Sequence, residues 1–352
     1  MSYQNIQIGN KTIGQGYKPY IIAEVAQAHD GSLGIAHSYI EGAVKAGADA
    51  IKFQTHIAEA ESTPGEPFRV NFSYEDKSRF EYWKRMEFTP EQWTGLADHC
   101  RSSGIEFLSS PFSLEAITLL AKLDMAAWKV GSGEVNNFLA LDLMVETHRP
   151  ILLSSGMSNW MEITDSVERI KDTKTQVALF QCTSKYPTDL SEVGLNVIHE
   201  MRNRYRIPIG LSDHTGSKSP AMAAIAEGVD LLELHVVFDR DMFGPDSKAS
   251  VTFSELKEIV DFRDDCHLML NNPIDKNKMA DDLLEMKKLF NKSVVLLKSV
   301  KKGSSLCRNA LTLKKPGVGL PPAELLRCVG KRVNKDLECG HILKWEDFLD
   351  DV

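Results

Sequence analysis

Eight short apolar runs, each followed by a stretch whose apolar residues recur with helical spacing, govern what this 352-residue chain can fold into. The runs are Tyr20–Val25, Ala48–Phe53, Ile105–Ser109, Ala126–Val130, Pro150–Ser154, Gln176–Cys182, Ile207–Leu211 and Asp230–Val236. Between them, Ile35–Ala46, Pro90–Ser103, Leu114–Leu123, Phe138–His148, Trp160–Lys171, Ser191–Asn203 and Ser219–Gly228 carry the period of amphipathic helices. Eight βα units in succession predict an α/β fold, a closed (β/α)8 barrel. An open doubly wound sheet needs a Gly-rich turn after its first strand, whereas this turn reads Ala26-Gln27-Ala28-His29-Asp30-Gly31 and lacks GxGxxG. Ahead of the barrel, Ile6–Ile13 reads as a hairpin turning at Gly9-Asn10, placed to plug the barrel bottom.

The longest connection, His56 to Pro90, holds Pro64, Gly65 and Pro67, then an aromatic, charged helix around Tyr82-Trp83-Lys84-Arg85; a long ordered βα loop of this kind reads as a functional lid. After the charged stretch Asp275–Asn291 the pattern changes to short strands, Gly and Pro, and one motif occurs twice: Val300, Gly303, Leu306 and Leu311, then Leu337, Gly340, Leu343 and Phe348 at the same spacings. The expected division is a barrel with its hairpin over 1–290 and a compact β-rich unit of two similar halves over 291–352. A unit that small is marginal alone and is expected to lean on the barrel or on a partner subunit.

Composition narrows the function classes. With 43% hydrophobic and 26% charged residues the chain is ordinary globular material, and a net charge of −8 argues against nucleic acid or an anionic membrane as partner. No apolar run approaches the ~18 residues of a membrane span, and Met-Ser-Tyr-Gln-Asn is no secretory leader, so a cytoplasmic location is expected. The six cysteines (Cys100, Cys182, Cys266, Cys307, Cys328, Cys339) form no CxxC pair and read as reduced thiols.

In a (β/α)8 barrel chemistry sits where strands end, and here those ends are unusually polar. They carry Glu24; Lys52 and Gln54; Ser109 and Ser110; Lys129, Ser132 and Glu134; Ser154; Thr183, Ser184 and Tyr186; Ser212, Asp213 and His214; Glu233 and His235. Helix capping accounts for residues such as Ser110 and Thr183 taken singly. It does not account for Lys52 and Lys129, because a lysine inside an apolar strand must meet an anion or reach water. Two such lysines among hydroxyls point to a phosphate or carboxylate site. His214 and His235 close consecutive strands; they converge either as ligands of a divalent metal, with Glu24 nearby, or as hydrogen-bonded or general-base histidines. Glu134 follows Lys129 closely enough to act on a water, or serves as a helix N-terminal carboxylate. Asp246, in Gly244-Pro245-Asp246, binds sugar hydroxyls or forms a turn.

Ile21-Ile22-Ala23-Glu24, Asp49-Ala50-Ile51-Lys52-Phe53-Gln54, Trp128-Lys129-Val130-Gly131-Ser132-Gly133-Glu134, Gly210-Leu211-Ser212-Asp213-His214-Thr215 and Phe243-Gly244-Pro245-Asp246, in this order, resemble the sialic acid synthases. The tail resembles the antifreeze-like (SAF, β-clip) domain that bacterial members carry. The resemblance implies condensation of phosphoenolpyruvate with an open-chain N-acetylhexosamine, N-acetylmannosamine by default, to give a nine-carbon 2-keto acid and phosphate. It implies that Lys52, Ser110, Lys129, Ser132, Ser154, Ser184 and Ser212 hold phosphoenolpyruvate, that Gln54, Tyr186 and Asp246 contact the sugar, and that Glu134 and Glu24 are catalytic. It further implies Mn²⁺ or Mg²⁺ on His214 and His235, and a domain-swapped homodimer. A family arginine that reaches the partner's site is here Lys315, which keeps charge but not the planar fork. The first loop has Ala28-His29-Asp30-Gly31 where Asn-His-Asn-Gly is common, which leaves a legionaminic or pseudaminic acid synthase, acting on a diacetamido trideoxyhexose, as the alternative. Outside this family, a metal-dependent pyruvate aldolase and a sugar-binding barrel without catalysis are the competing readings.

Overall fold

The computed structural model describes residues 3–68 and 72–349. Its chain separates into two compact units, Met1–Asn271 and Asn272–Val352, which are taken in turn.

In the first unit a short antiparallel hairpin, β1 (Ile6–Ile8) and β2 (Lys11–Ile13), precedes eight parallel strands: β3 (Tyr20–Ala26), β4 (Ala50–Thr55), β5 (Glu106–Pro111), β6 (Trp128–Val130), β7 (Ile151–Ser154), β8 (Val177–Cys182), β9 (Ile209–Asp213) and β10 (Leu231–Val237). The ladder runs β5-β4-β3-β10-β9-β8-β7-β6, and its two ends lie side by side, so the sheet is a nearly closed (β/α)8 barrel. Helices form where the sequence punctuates them. The helix Leu33–Ala46 starts with Ser32 Oγ accepting from Ile35 N, and Pro90–Ser103 starts with a Thr89/Gln92 capping box and Pro at its first position.

The strands bury both faces, each with its own partner. Ile21, Ala23, Ile51, Phe53, Leu153 and Leu179 point out into the helix layer. Tyr20, Ile22, Ala50, Leu108, Ala127, Leu152, Ala178, Phe180 and Leu231 point in, and Ile6, Ile8 and Ile13 of the hairpin complete that inner cluster. The hairpin is pinned at the strand starts: Gln4 N donates to Arg206 O at 3.0 Å, Gln7 N to Gln176 Oε1 at 2.8 Å, and Lys11 pairs with Asp49. It therefore stops the bottom of the barrel with apolar side chains. Gly210 is required in β9 because a Cβ there would lie 2.7 Å from the Phe180 ring and 2.9 Å from Leu231 O.

The second unit begins with the helices Lys276–Asp282 and Leu284–Phe290, followed by β11 (Ser293–Leu296) antiparallel to β12 (Leu311–Lys314). The division thus falls upstream of the expected residue 290, because Gly317 N donates to Lys288 O at 2.7 Å and Lys315 Nζ lies 5.0 Å from the Phe290 ring centre, tying this helix to the tail. Both copies of the repeated motif feed one core: Leu306, Leu311, Leu337, Leu343 and Phe348 are buried together with Val294, Leu296 and Cys328. Val300 and Leu337, the first positions of the two copies, pair across an isolated bridge. Gly303 (φ +80°) and Gly340 (φ +84°) hold matching left-handed turns, which explains the glycine in each copy. All six cysteines are free thiols. No helix among the described residues is long and apolar enough to cross a membrane.

Candidate active site

Side chains alternate along a strand, so the inward positions above the inner apolar cluster form one polar layer. It contains Glu24 on β3, Lys52 and Gln54 on β4, Ser110 on β5, Lys129 on β6, Ser154 on β7, Cys182 on β8, Ser212 on β9, and Glu233 and His235 on β10. The ladder register sets His235 beside Glu24, Glu24 beside Lys52, Gln54 beside Ser110, and Ser212 beside both Cys182 and Glu233.

Four ionisable groups meet here, away from water. Lys52 and Lys129 are 3% and 2% exposed. Lys52 Nζ is 2.8 Å from Glu24 Oε2 and 3.8 Å from Glu233 Oε2, and donates to Ser110 Oγ at 3.2 Å. Lys129 Nζ is 3.5 Å from Glu233 Oε1, donates to Ser154 Oγ at 2.5 Å, and lies 5.0 Å from the centre of the Phe180 ring. Ser212 Oγ donates to Glu233 Oε1 at 2.9 Å, and Gln54 Nε2 to Glu24 Oε1 at 2.8 Å. The pairing is uneven. Burial disfavours charge on every member, yet the two ammonium groups and Ser212 hold Glu233 below the usual carboxylate range, and Glu233 with Glu24 holds Lys52 above the usual lysine range. For Lys129 burial prevails over its single shared carboxylate, Lys52 adds repulsion, and its pKa falls; for Glu24 burial prevails over Lys52 and the pKa rises. Burial thus weighs more heavily on Lys129 than on Lys52.

A second group of side chains lies around β8. Gly156 is packed so closely that a Cβ would come 2.3 Å from Ser184 Oγ, 2.7 Å from Ser132 Oγ and 3.0 Å from Cys182 Sγ. Ser132 Oγ accepts from Gly156 N at 3.1 Å and lies 3.6 Å from Cys182 Sγ, which is in turn 3.8 Å from His214 Nδ1. Burial resists ionisation of Cys182, but His214, Ser132 and Lys129 bring its thiol pKa below the ordinary value. The rings of Tyr186, His214 and His235 cluster, with centroids 4.2 Å apart for Tyr186–His214 and 5.1 Å for the two histidines.

The remaining expected residues are dispersed. Asp246 lines a small recess with His235, Ser247 and Gln27, whose Oε1 is buried without a hydrogen-bond partner. Glu134 is half-buried in the 3-10 turn Ser132–Glu134 and accepts from Asn137 Nδ2 at 2.7 Å. Lys315 belongs to the smaller unit, over Phe290. Five residues had no assigned role in the sequence reading: Glu233, named there only as a polar strand end, Gly156, Cys182, and the buried pair His56 and Glu61, whose Nδ1–Oε1 distance is 2.7 Å. Glu233 was within reach, since it precedes His235 by two positions and so shares its face. Gly156 gave no signal, because its requirement arises from residues on two other segments, Ser132 after β6 and Cys182 with Ser184 at the end of β8.

Whether the site suits a divalent metal turns on the donors. Among the described residues no three His, Cys, Asp or Glu side chains are placed to hold an ion by themselves. His214 Nδ1 is 3.0 Å from Thr183 O, a contact in which the ring donates, which leaves Nε2 as the lone-pair nitrogen. With His235 packed against it, the chain offers two imidazoles, a donor set that fits a metal whose other positions are filled by water and substrate.

Two buried lysines, paired carboxylates and strand-end histidines thus converge at the mouth of a (β/α)8 barrel. A sequence profile described as the NeuB family matches residues 39–274. The N,N'-diacetyllegionaminic acid synthase of Legionella pneumophila is 30% identical over 346 residues, 96% of this chain and 97% of that one. The pseudaminic acid synthase of Campylobacter jejuni (strain 81-176) is 32% identical over 348 residues, 97% and 100% of the two chains. The crystal structure of the N-acetylneuraminic acid synthetase of Leptospira borgpetersenii superposes with a TM-score of 0.71 at 26% identity, covering 81% of this chain and 96% of that one. The chain belongs to the NeuB family, that of the sialic acid synthases.

Proposed function

We propose that this protein condenses phosphoenolpyruvate with an open-chain N-acetylhexosamine, N-acetylmannosamine in the first instance, forming a nine-carbon 2-keto sugar acid and releasing phosphate. The observation that carries this reading is the buried Lys52–Lys129 pair with Glu233 shared between them, two cations on inward positions suited to receive an anion. Phosphoenolpyruvate brings a phosphate and a carboxylate to those cations. Ser110, Ser154 and Ser212 beside them, and Ser132 and Ser184 around Gly156, supply hydroxyl donors.

C3 of phosphoenolpyruvate bonds to the aldehyde carbon as its C2–C3 π bond and the aldehyde C=O π bond break; the aldehyde oxygen takes up a proton and becomes a hydroxyl, and positive charge develops at C2. Glu134 guides a water to C2 and takes its proton; the tetrahedral carbon then expels phosphate by breaking its C2–O bond, so the keto oxygen derives from water. Glu24, held by Lys52 and Gln54, keeps a fixed acceptor beside the reacting centre. Gln54, Tyr186 and Asp246 orient the sugar. His214 and His235 would hold Mn²⁺ or Mg²⁺, which when bound supplies a Lewis acid for the aldehyde oxygen. Lys315 would contact the sugar in a neighbouring copy of a swapped homodimer.

The second acceptor class, diacetamido trideoxyhexoses, is favoured by the legionaminic and pseudaminic acid synthases among the relatives. Phosphate release from phosphoenolpyruvate, with Mn²⁺ or EDTA, measured against N-acetylmannosamine and both diacetamido sugars in parallel, tests reaction and acceptor together. Metal-dependent release with one sugar is expected; silence with all of them, from folded protein, sinks the proposal.

A further inference from the structure

His56, just beyond β4, stands in a stack of four planar groups. Its ring lies parallel to Trp83 (centroids 3.8 Å, 9°) on one side and to Phe112 (4.5 Å, 9°) on the other, and the Arg79 guanidinium covers the far face of the assembly, 4.9 Å from the Trp83 ring. Trp83 and Arg79 belong to the helix Arg79–Met86 of the long connection, whereas Phe112 follows β5. Both edges of the imidazole are engaged as well. Nδ1 is 2.7 Å from Glu61 Oε1, and Nε2 is 3.3 Å from Gln54 Oε1. The carboxylate can only accept, so Nδ1 donates to Glu61, and Nε2 completes the ring's contacts against the Gln54 amide.

That arrangement decides which way the Gln54 amide points. An amide can exchange its oxygen and nitrogen by rotation, and only its surroundings choose between the two states. Here Gln54 Oε1 faces His56 Nε2 and Gln27 Nε2 (3.3 Å), which turns Nε2 toward Glu24 at 2.8 Å, next to Lys52. His56 is 5% exposed, and the Glu61 side chain 8%. A buried two-sided hydrogen bonder between two aromatic faces is a costly arrangement for mere packing, where a phenyl ring would serve.

We propose that His56 is a positioning residue: through the Trp83–His56–Phe112 stack it makes the orientation of the Gln54 amide, and hence binding of the acceptor sugar, depend on the seated helix Arg79–Met86. The inference rests on the synthase reading above and adds a determinant of acceptor affinity to it. It places the determinant on acceptor binding, since the phosphoenolpyruvate hydroxyls and Lys129 are held from β5 to β9 without His56.

Steady-state kinetics of the full chain separates the possibilities. His56→Phe keeps the stack and removes both ring nitrogens; it is expected to raise KM for the acceptor roughly tenfold with KM for phosphoenolpyruvate nearly unchanged, while the loss of the partner of Glu61 lowers the melting temperature. His56→Gln returns a donor toward Gln54 and is expected to recover part of that loss, and Trp83→Leu to shift KM for the acceptor in the same direction as His56→Phe. Wild-type turnover with acceptor KM unmoved in His56→Phe, or with both KM values raised equally, overturns this inference alone. No wild-type turnover with any acceptor overturns the synthase reading and this inference with it.

Discussion

Lys129 occupies a place that ordinarily belongs to a leucine: an inward position of a barrel strand, 2% exposed, above the face of Phe180. Its carboxylate partner, Glu233, also serves Lys52. Lys129→Met takes the nearer cation from Glu233 and leaves Lys52 to serve both buried carboxylates, so the melting temperature is expected to fall. Phosphate release should fall by on the order of a hundredfold or more, the loss typical of removing one charge-stabilising donor. Retention of activity would show that the anion sits elsewhere. At this scale the sequence spoke clearly about lysines and histidines, because charge inside an apolar strand is anomalous on its face. It said nothing of Gly156 or His56, whose meaning depends on Ser132, Ser184 and Cys182 in one case and on Trp83 and Phe112 in the other.

Elements turn those residues into a site through their turns and registers. The segment after β7 passes so close to Ser132 and Ser184 that Gly156→Ala must displace one or both hydroxyls. The expected result is a several-fold rise in KM for phosphoenolpyruvate with little change in KM for sugar, read from initial rates. In the smaller unit, Asp347 clasps its chain end: Lys335 Nζ lies 2.7 Å from Oδ1, and His341 Nε2 and Lys344 N each lie 2.9 Å from Oδ2. Burial raises the cost of that charge, but these partners hold its pKa below the usual aspartate value. The stabilisation is therefore present above the unfolded value near ~3.9 and is lost as pH falls through the depressed folded value. Asp347→Asn should cost about 1–3 kcal/mol at neutral pH and flatten the acid limb of the melting curve, measured by calorimetry from pH 6 to 3. The eight βα units were legible because their two periodicities alternate without interruption. The affiliation of Leu284–Phe290 was not, since a charged helix reads the same whether it follows the barrel or, as Gly317 N to Lys288 O shows, packs with the tail.

For the molecule as a whole, the barrel unit is organised by depth. The hairpin residues Ile6, Ile8 and Ile13 close the lower end, the apolar inner cluster rises to Phe180, and the lysines rest directly above it. The sequence foretold that stopper from position alone, as a hairpin ahead of the first barrel strand. A vessel sealed at its base has one entrance, and everything that reacts inside must pass through it in turn. The guest that seats on the deepest cations has to arrive before the one that lies above it, and an early acceptor would bar the way. Traffic should then be sequential: an unreactive acceptor analogue is expected to inhibit uncompetitively against phosphoenolpyruvate, and noncompetitive inhibition in the same initial-rate plots would mean that the two queue in no fixed order.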